Sequence, residues 1–472
     1  MMQLLQKSED AVCGWLRGID AALLRTVAAA AALCMLLAHG FAFTNLFPNH
    51  DSTVLVFDAQ WTMYVLGRWA QNLYFPLVRG KIAAPWLIGA FSIVYLALTG
   101  YIIAKLLHLR RWSAALLTGL LGTCASVTAQ LATYTYETDA YLLAMLLACA
   151  AVWCSRRLPW LRQGVGALLT LALGAVLYVV SLKVSLALTG YQLADTGNGL
   201  AQMFRLGPAA VLAGIPATYG NFFKTLLGYS GWNDRGMRAA TALLFVLAAA
   251  GLVLRLRGRG GRTAAQVLLA AALLPLGLNV SCLLASGNVY ILMQHALFLV
   301  YLVPMVLFGG SVLFPAERRT GGVLVGLLCA FLILRSIICA NGAYVYTKLV
   351  YDNTARQMTQ IMADVGKLDG YEPGTTPVAF AGTFTDSNLT YHDPAFSRYE
   401  EGSLHQVNVA VTYDGTIKWW FQHVMGSSAA VLADQATLDA VGKKAAVQAM
   451  PNYPAQGYCA MVDGTAVIKL SD

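Results

Sequence analysis

Two acids stand two residues apart, Glu137 and Asp139, in the run Tyr134-Thr135-Tyr136-Glu137-Thr138-Asp139. Carboxylates flanked by tyrosines suit binding of sugar hydroxyls, proton transfer or a divalent cation, although ordinary loop solvation is the favoured reading of any one charged turn. Upstream, Asn49-His50-Asp51-Ser52 opens a stretch in which Val54, Phe57, Trp61, Tyr64, Val65 and Trp69 share one helical face. Asp58, Gln60, Arg68, Gln71 and Asn72 fall largely elsewhere. Tryptophan and tyrosine on such a face suit a helix lying at a membrane surface. An acid at its start, just above lipid, is placed to take a proton from an acceptor hydroxyl, so Asp51 is the candidate general base. Arg68 offers a planar fork of donors for a phosphate. The plainer readings are that Asp51 or Ser52 caps the helix, that Arg68 snorkels to headgroups, and that Asp58 is a solvated face residue. Lys183 and Arg335 stand inside apolar runs, where ionisable groups are costly and face a bundle interior, snorkel outward or meet a lipid phosphate. For His39 and Asn279 the expectation is a polar side chain bonded between helices.

The elements that must position these groups are membrane spans. Of the 472 residues, 58% are hydrophobic and 12% charged, and the mean hydropathy is +0.60. A soluble chain could not hide so much apolar surface, whereas lipid can. Arginine clusters in four short loops: Arg110-Arg111, Arg156-Arg157 with Arg162, Arg255 to Arg262, and Arg318-Arg319. They follow every second apolar run, as the positive-inside rule requires of cytoplasmic loops. At about 20 apolar residues per span, the chain reads as about nine transmembrane helices. These centre near Ala32, Leu96, Leu120, Leu147, Val176, Leu247, Leu273, Pro304 and Leu328. The first reads as an uncleaved anchor in preference to a signal peptide. With the N-terminus cytoplasmic, an odd count places the C-terminus outside. The exterior then receives loops near 44–85 and 190–238, turns around 134–139 and 286–290, and the tail. The longer loop, with Gly207-Pro208 and Gly214-Ile215-Pro216, reads as interfacial or partly re-entrant.

Beyond residue 340 charges become frequent. Helical spacing runs through Tyr346, Leu349, Val350, Met358, Ile361, Met362 and Val365. Strands are expected at 376–382, 406–411 and 429–433, with a helix at 416–424. A terminal hairpin closes on Asp463-Gly464. The expectation is a transmembrane domain over 1–340 and an extracytoplasmic α/β domain over 341–472, of about 130 residues. The net charge of +9 sits at span ends, which argues for lipid headgroups and against nucleic acid. Of nine cysteines, only Cys459 falls in the exterior domain, so no disulfide forms within it. The cytoplasmic loops are too short for a nucleotide-binding fold and carry no glycine fingerprint of one.

The chain resembles the bacterial O-antigen glucosyltransferases of the Gtr type-two family. The matching features are Asp51 after Asn49-His50, Gly67-Arg68-Trp69, Pro85-Trp86 and Pro377-Val378-Ala379-Phe380. The ending adds Met450-Pro451-Asn452-Tyr453-Pro454, Gly457, Asp463-Gly464 and Val467-Ile468-Lys469-Leu470. The resemblance implies a multispan glycosyltransferase of the plasma membrane. Such an enzyme moves a glucosyl residue from undecaprenyl phosphate to a surface polysaccharide, outside the cytoplasm and with no further cofactor. Where the family often has two adjacent acids in the first loop, this chain has His50 before Asp51. That leaves Asp51 alone at the motif, with Asp58, Glu137 or Asp139 as sources of a second acid. The expected reaction is displacement at the anomeric carbon, with Asp51 as base and Arg68 or another cation on the departing phosphate. Trp419 and Trp420 could stack on sugar rings or pack in a core. Nothing in the residues argues for a metal. The competing classes are a flippase or transporter of lipid-linked sugars, against which the spans show no repeated halves, and a noncatalytic envelope assembly protein.

Overall fold

The computed structural model describes residues 18–48, 60–82, 84–155, 164–193, 207–285, 287, 289–308, 319–382, 391, 393–400, 414–426 and 430–472. Among them, seven helical segments are long and apolar enough to cross a membrane. The first is α1, Ala21–Thr44, capped by the Asp20 carboxylate, which accepts from Leu23 N–H at 3.0 Å. Two short helices follow, α2 (Gln60–Val65) and α3 (Trp69–Tyr74), and then α4, Pro85–Leu106. The third span is α5 (Arg111–Thr123) and α6 (Ala125–Thr133), bent at Cys124, whose ψ of 156° is extended. The fourth contains α7, Thr138–Ser155.

Small residues let these first spans close on one another. A Cβ at Gly89 would lie 2.6 Å from Cγ of Phe43, and one at Gly122 would lie 2.6 Å from a methyl of Leu96. Close backbone approach of this kind is what holds helices together where lipid offers no hydrophobic driving force. His39 is buried in the same bundle, its Nδ1 2.7 Å from Tyr344 Oη and its Nε2 2.7 Å from the Gly122 carbonyl. It is the interhelical polar bond expected of it.

The second half is less regular. The fifth expected span coincides with α8, Gly164–Thr189. The stretch expected as a long exterior loop contains α9, Pro208–Leu227, with Pro216 inside it, and is followed by α10 (Arg235–Leu256) and α11 (Gly261–Leu278). Around Pro304, where one long span is expected, the described residues form a 3-10 helix over His295–Tyr301 and then α12, Leu302–Phe308. That is a shorter apolar stretch than the seven candidate spans, as is Val176–Thr189 within α8.

The last span continues without a break as α13, a 47-residue helix from Arg319 to Val365. At 1.5 Å per residue it is about 70 Å long, more than twice a bilayer core. The helix expected after residue 341 is therefore a continuation of the last span. There Met358, Ile361 and Val365 pack against Phe380, Trp420, Phe421 and Ile468 in a second core. The sheet over that core has the order β2-β1-β4-β3, with β1 Pro377–Ala381, β2 Val431–Leu432, β3 Cys459–Val462 and β4 Thr465–Lys469. Strand β1 is parallel to β2 and β4, and β3 pairs antiparallel with β4. Asp463 and Gly464 turn that hairpin with φ of 48° and 74°, the left-handed pair that a two-residue hairpin demands. The helix expected at 416–424 is α14, Asp414–His423; residues 406–411, expected as a strand, lie outside the described residues. Trp420 is fully buried and belongs to the core, while Trp419 stacks on His423 at 5.2 Å.

Candidate active site

The amphipathic stretch after the first span breaks where one continuous helix is expected. Gly67 has φ of 76°, its N–H donates to Tyr64 O at 3.0 Å, and Arg68 N–H donates to Met63 O at 2.7 Å. This pair of bonds is the Schellman ending, which needs a left-handed residue and favours glycine. Tyr178 of α8 donates its hydroxyl to the Gly67 carbonyl at 2.9 Å. The chain then turns into α3 and a π-helical turn over Phe75–Arg79, ended by Gly80 at φ 83°. Met63, Phe75, Ile88 and Tyr136 form a small apolar cluster under these pieces.

The consequence of the break is that Arg68 and Arg79 come from the same loop onto the two acids after the third span. Arg68 Nη1 pairs with Glu137 Oε1, and Arg79 Nε lies 3.0 Å from Asp139 Oδ2. Tyr74 donates its hydroxyl to Asp139 Oδ2 at 2.8 Å and lies 3.1 Å from the Tyr95 hydroxyl. Arg79 Nη2 also donates to the Tyr136 carbonyl, and its guanidinium lies 4.0 Å over the Phe75 ring. Both acids are fully buried, so the favoured reading of a solvated charged turn is overturned. Desolvation would expel an unpaired carboxylate; an arginine on each makes burial tolerable.

Three atoms of these charged groups have neither a hydrogen bond nor an ion-pair contact. Glu137 Oε2, Asp139 Oδ1 and Arg79 Nη1 are buried without either among the described residues, and Arg79 Nε has only its ion-pair contact with Asp139 Oδ2. An orphaned buried polar atom costs about 1–3 kcal/mol, and three in one cluster suit a polar ligand that donates to the carboxylates. Arg68 is the open side of the site, with 35% of its side chain exposed against none for Glu137. Burial works against the charge of Arg68, but the carboxylate of Glu137 more than offsets it and raises its affinity for its proton. For Arg79 burial prevails over Asp139 and lowers that affinity. Burial, then the bonds to Tyr95 and Asp139, push the Tyr74 hydroxyl far up, so it acts as a donor and not a base.

Of the residues expected to act, the structure brings Arg68, Glu137 and Asp139 into one cluster. Lys183 is exposed on α8, and Arg335 pairs with Asp234 in a different cleft. His50, Asp51 and Asp58 lie outside the described residues. Among the described residues no group of acids, histidines or cysteines is arranged to hold a metal ion. Tyr74 and Arg79 escaped the sequence reading. The available signal was Arg79 itself: a second arginine in a loop assigned to the exterior runs against the positive-inside rule and calls for a partner.

No curated protein and no solved structure matches the chain. The strand and terminal motifs of the last domain lie outside the one segment that a family model covers. That segment, residues 40–174, contains Arg68, Tyr74, Arg79, Glu137 and Asp139 and matches the family described as Glucosyl transferase GtrII.

Proposed function

We propose that this protein is a membrane glucosyltransferase that takes a glucosyl residue from a polyprenyl-phosphate donor and delivers it to a cell-surface glycan on the extracytoplasmic side. The family match supports glucosyl transfer. The observation that carries the site is the buried pair of carboxylates with unpartnered oxygens, each gripped by an arginine of the first loop. Oxygens of that kind bind hydroxyls, and the half-open Arg68 beside them suits an anion.

In this reading Asp51 removes the proton of an acceptor hydroxyl. The freed oxygen bonds to the anomeric carbon as the bond from that carbon to the phosphate oxygen breaks. The electron pair leaves with the polyprenyl phosphate, whose growing charge Arg68 stabilises. Glu137 and Asp139 accept from sugar hydroxyls, and Arg79 with Tyr74 holds Asp139 in place. The bond to phosphate supplies the driving force, so no nucleotide is needed on that side.

The test is donor choice in sealed proteoliposomes, with glucose supplied either on polyprenyl phosphate or on a nucleoside diphosphate beside candidate surface glycans. The proposal expects transfer from the lipid donor alone. Transfer from the nucleotide donor alone, or movement of the lipid-linked sugar across the bilayer with no transfer to any glycan, would overturn it.

A further inference from the structure

A concentration of positive charge separate from the cluster of acids surrounds the start of α10. Arg235 and Arg238 come from that helix, Arg335 from α13, and Arg398 from the short helix Ser397–Glu400. Together with Tyr229 they line an open cleft of about 720 Å³. Asp234 is the one acid on its lining, and it is already engaged. Its carboxylate caps α10 by accepting from Met237 N–H at 3.0 Å and pairs with Arg335.

Among the described residues, two of the other arginines are held by carbonyls and not by carboxylates. Arg238 Nε donates to Leu227 O at 2.8 Å, and Arg398 donates twice to Gly231 O at 3.2 and 2.7 Å. Carbonyls satisfy N–H groups but do not cancel charge, so four cations face one anion. Arg235 is exposed. Guanidinium groups from three chain segments converging on one cleft are the arrangement that grips phosphate oxygens.

The cleft adjoins a second space, because Tyr229 lines both. The neighbouring cavity, of about 300 Å³, is edged by Asn221, Thr225, Asn233 and Gln294, with Tyr301 and Phe298 on its apolar side. Its amides are tied together: Asn221 Oδ1 accepts from Gln294 Nε2 and from Asn279 Nδ2, the latter at 3.0 Å. Amide groups beside aromatic rings, with one cation, Lys224, and no carboxylate on the lining, suit a polyhydroxyl group that is bound and not cleaved.

We propose that the Arg235, Arg238, Arg335 and Arg398 cleft is a phosphate-ester site, separate from the Arg68 cluster, whose ligand places a sugar in the adjoining amide-lined cavity. The phosphate can belong to a free sugar phosphate or to a lipid headgroup; the chemistry of recognition is the same. The site stands whether or not the acids at Glu137 and Asp139 are catalytic.

Titration of the full-length protein in detergent with glucose 1-phosphate tests this, with inorganic phosphate and nanodiscs carrying polyprenyl phosphate as competitors. Wild type is expected to bind glucose 1-phosphate. Arg235→Gln, at an exposed position, and Arg235→Gln with Arg398→Gln should weaken binding by about tenfold and more, while Lys367→Gln, at an exposed position just beyond α13, leaves it unchanged. The Arg235→Lys form should recover part of the loss, which separates charge from misfolding. Competition by the nanodiscs would assign the lipid as source, and competition by inorganic phosphate alone the soluble ester. Equal affinity in wild type and the double variant, or no binding of any phosphate probe by wild type, would overturn the proposal.

Discussion

Arg79 Nε lies 3.0 Å from Asp139 Oδ2, and both side chains are closed to solvent at 1% and 0% exposure. The pair ties the end of the loop between α1 and α4 to the first turn of α7. An acid in that turn also faces the positive end of the helix, which favours the ionised carboxylate there.

Breaking the pair from one side strands a charge in the interior. Arg79→Met should therefore destabilise the protein by about 3–5 kcal/mol, and Arg79→Met combined with Asp139→Leu should recover most of that loss. Thermal unfolding in detergent reads both; additive losses in the double variant would show that the two residues do not act as a pair.

Arg68 differs because its fork, and not only its charge, faces outward. Arg68→Lys keeps a cation for Glu137 and should unfold within about 1 kcal/mol of wild type. Turnover should fall by about a hundredfold, the scale of losing one donor aimed at developing charge. The measurement is kcat against KM for the lipid donor. A rise in KM with kcat intact would make Arg68 a binding group only.

His39 is a structural residue in this account. His39→Leu removes both bonds of the ring and leaves the Gly122 carbonyl facing an apolar side chain. It should cost about 1–3 kcal/mol, with glucosyl transfer per folded molecule unchanged. Loss of transfer in fully folded protein would place His39 in the chemistry instead.

Asp234 gives a pH signature. Burial raises its pKa, but the bonds from Arg335 and from Met237 N–H outweigh that and bring it below its ordinary value of 3.8. A depressed folded-state pKa contributes stability that is complete above the unfolded value and is lost as pH falls through the folded one. Asp234→Asn keeps the helix cap and loses the charge pair. The stability gap between it and wild type should hold from neutral pH to about pH 4 and close below that. A gap that persists unchanged in stronger acid would contradict the pairing.

What the sequence made legible follows from which signals are local. Nine spans are expected, and among the described residues the long apolar runs fall on seven helices long and apolar enough to cross a membrane, while Asp463-Gly464 closes the hairpin expected of it. The region around Pro304 was read by hydropathy, which cannot distinguish a 3-10 stretch from an α-helix. At Gly67 the apolar face continues on both sides, so periodicity predicts one helix; the backbone bonds that end it leave no mark on that pattern. Burial of Glu137 and Asp139 was hidden for a similar reason. Their partners Arg68 and Arg79 are 69 and 60 positions away, and charge in a turn looks solvated until the partner is seen. The break at residue 340 is a change of composition that the backbone does not share, since α13 runs through it.

The most direct test of the central claim is glucosyl transfer from polyprenyl-phosphate glucose in proteoliposomes, with wild type, Asp51→Asn, Glu137→Gln and Asp139→Asn side by side and donor binding measured on each. The account predicts that Asp51→Asn binds donor normally and loses transfer by about a hundredfold or more, with smaller losses for Glu137→Gln and Asp139→Asn. Full transfer by Asp51→Asn together with abolished transfer by Glu137→Gln or Asp139→Asn would contradict it and move the base to the buried acids.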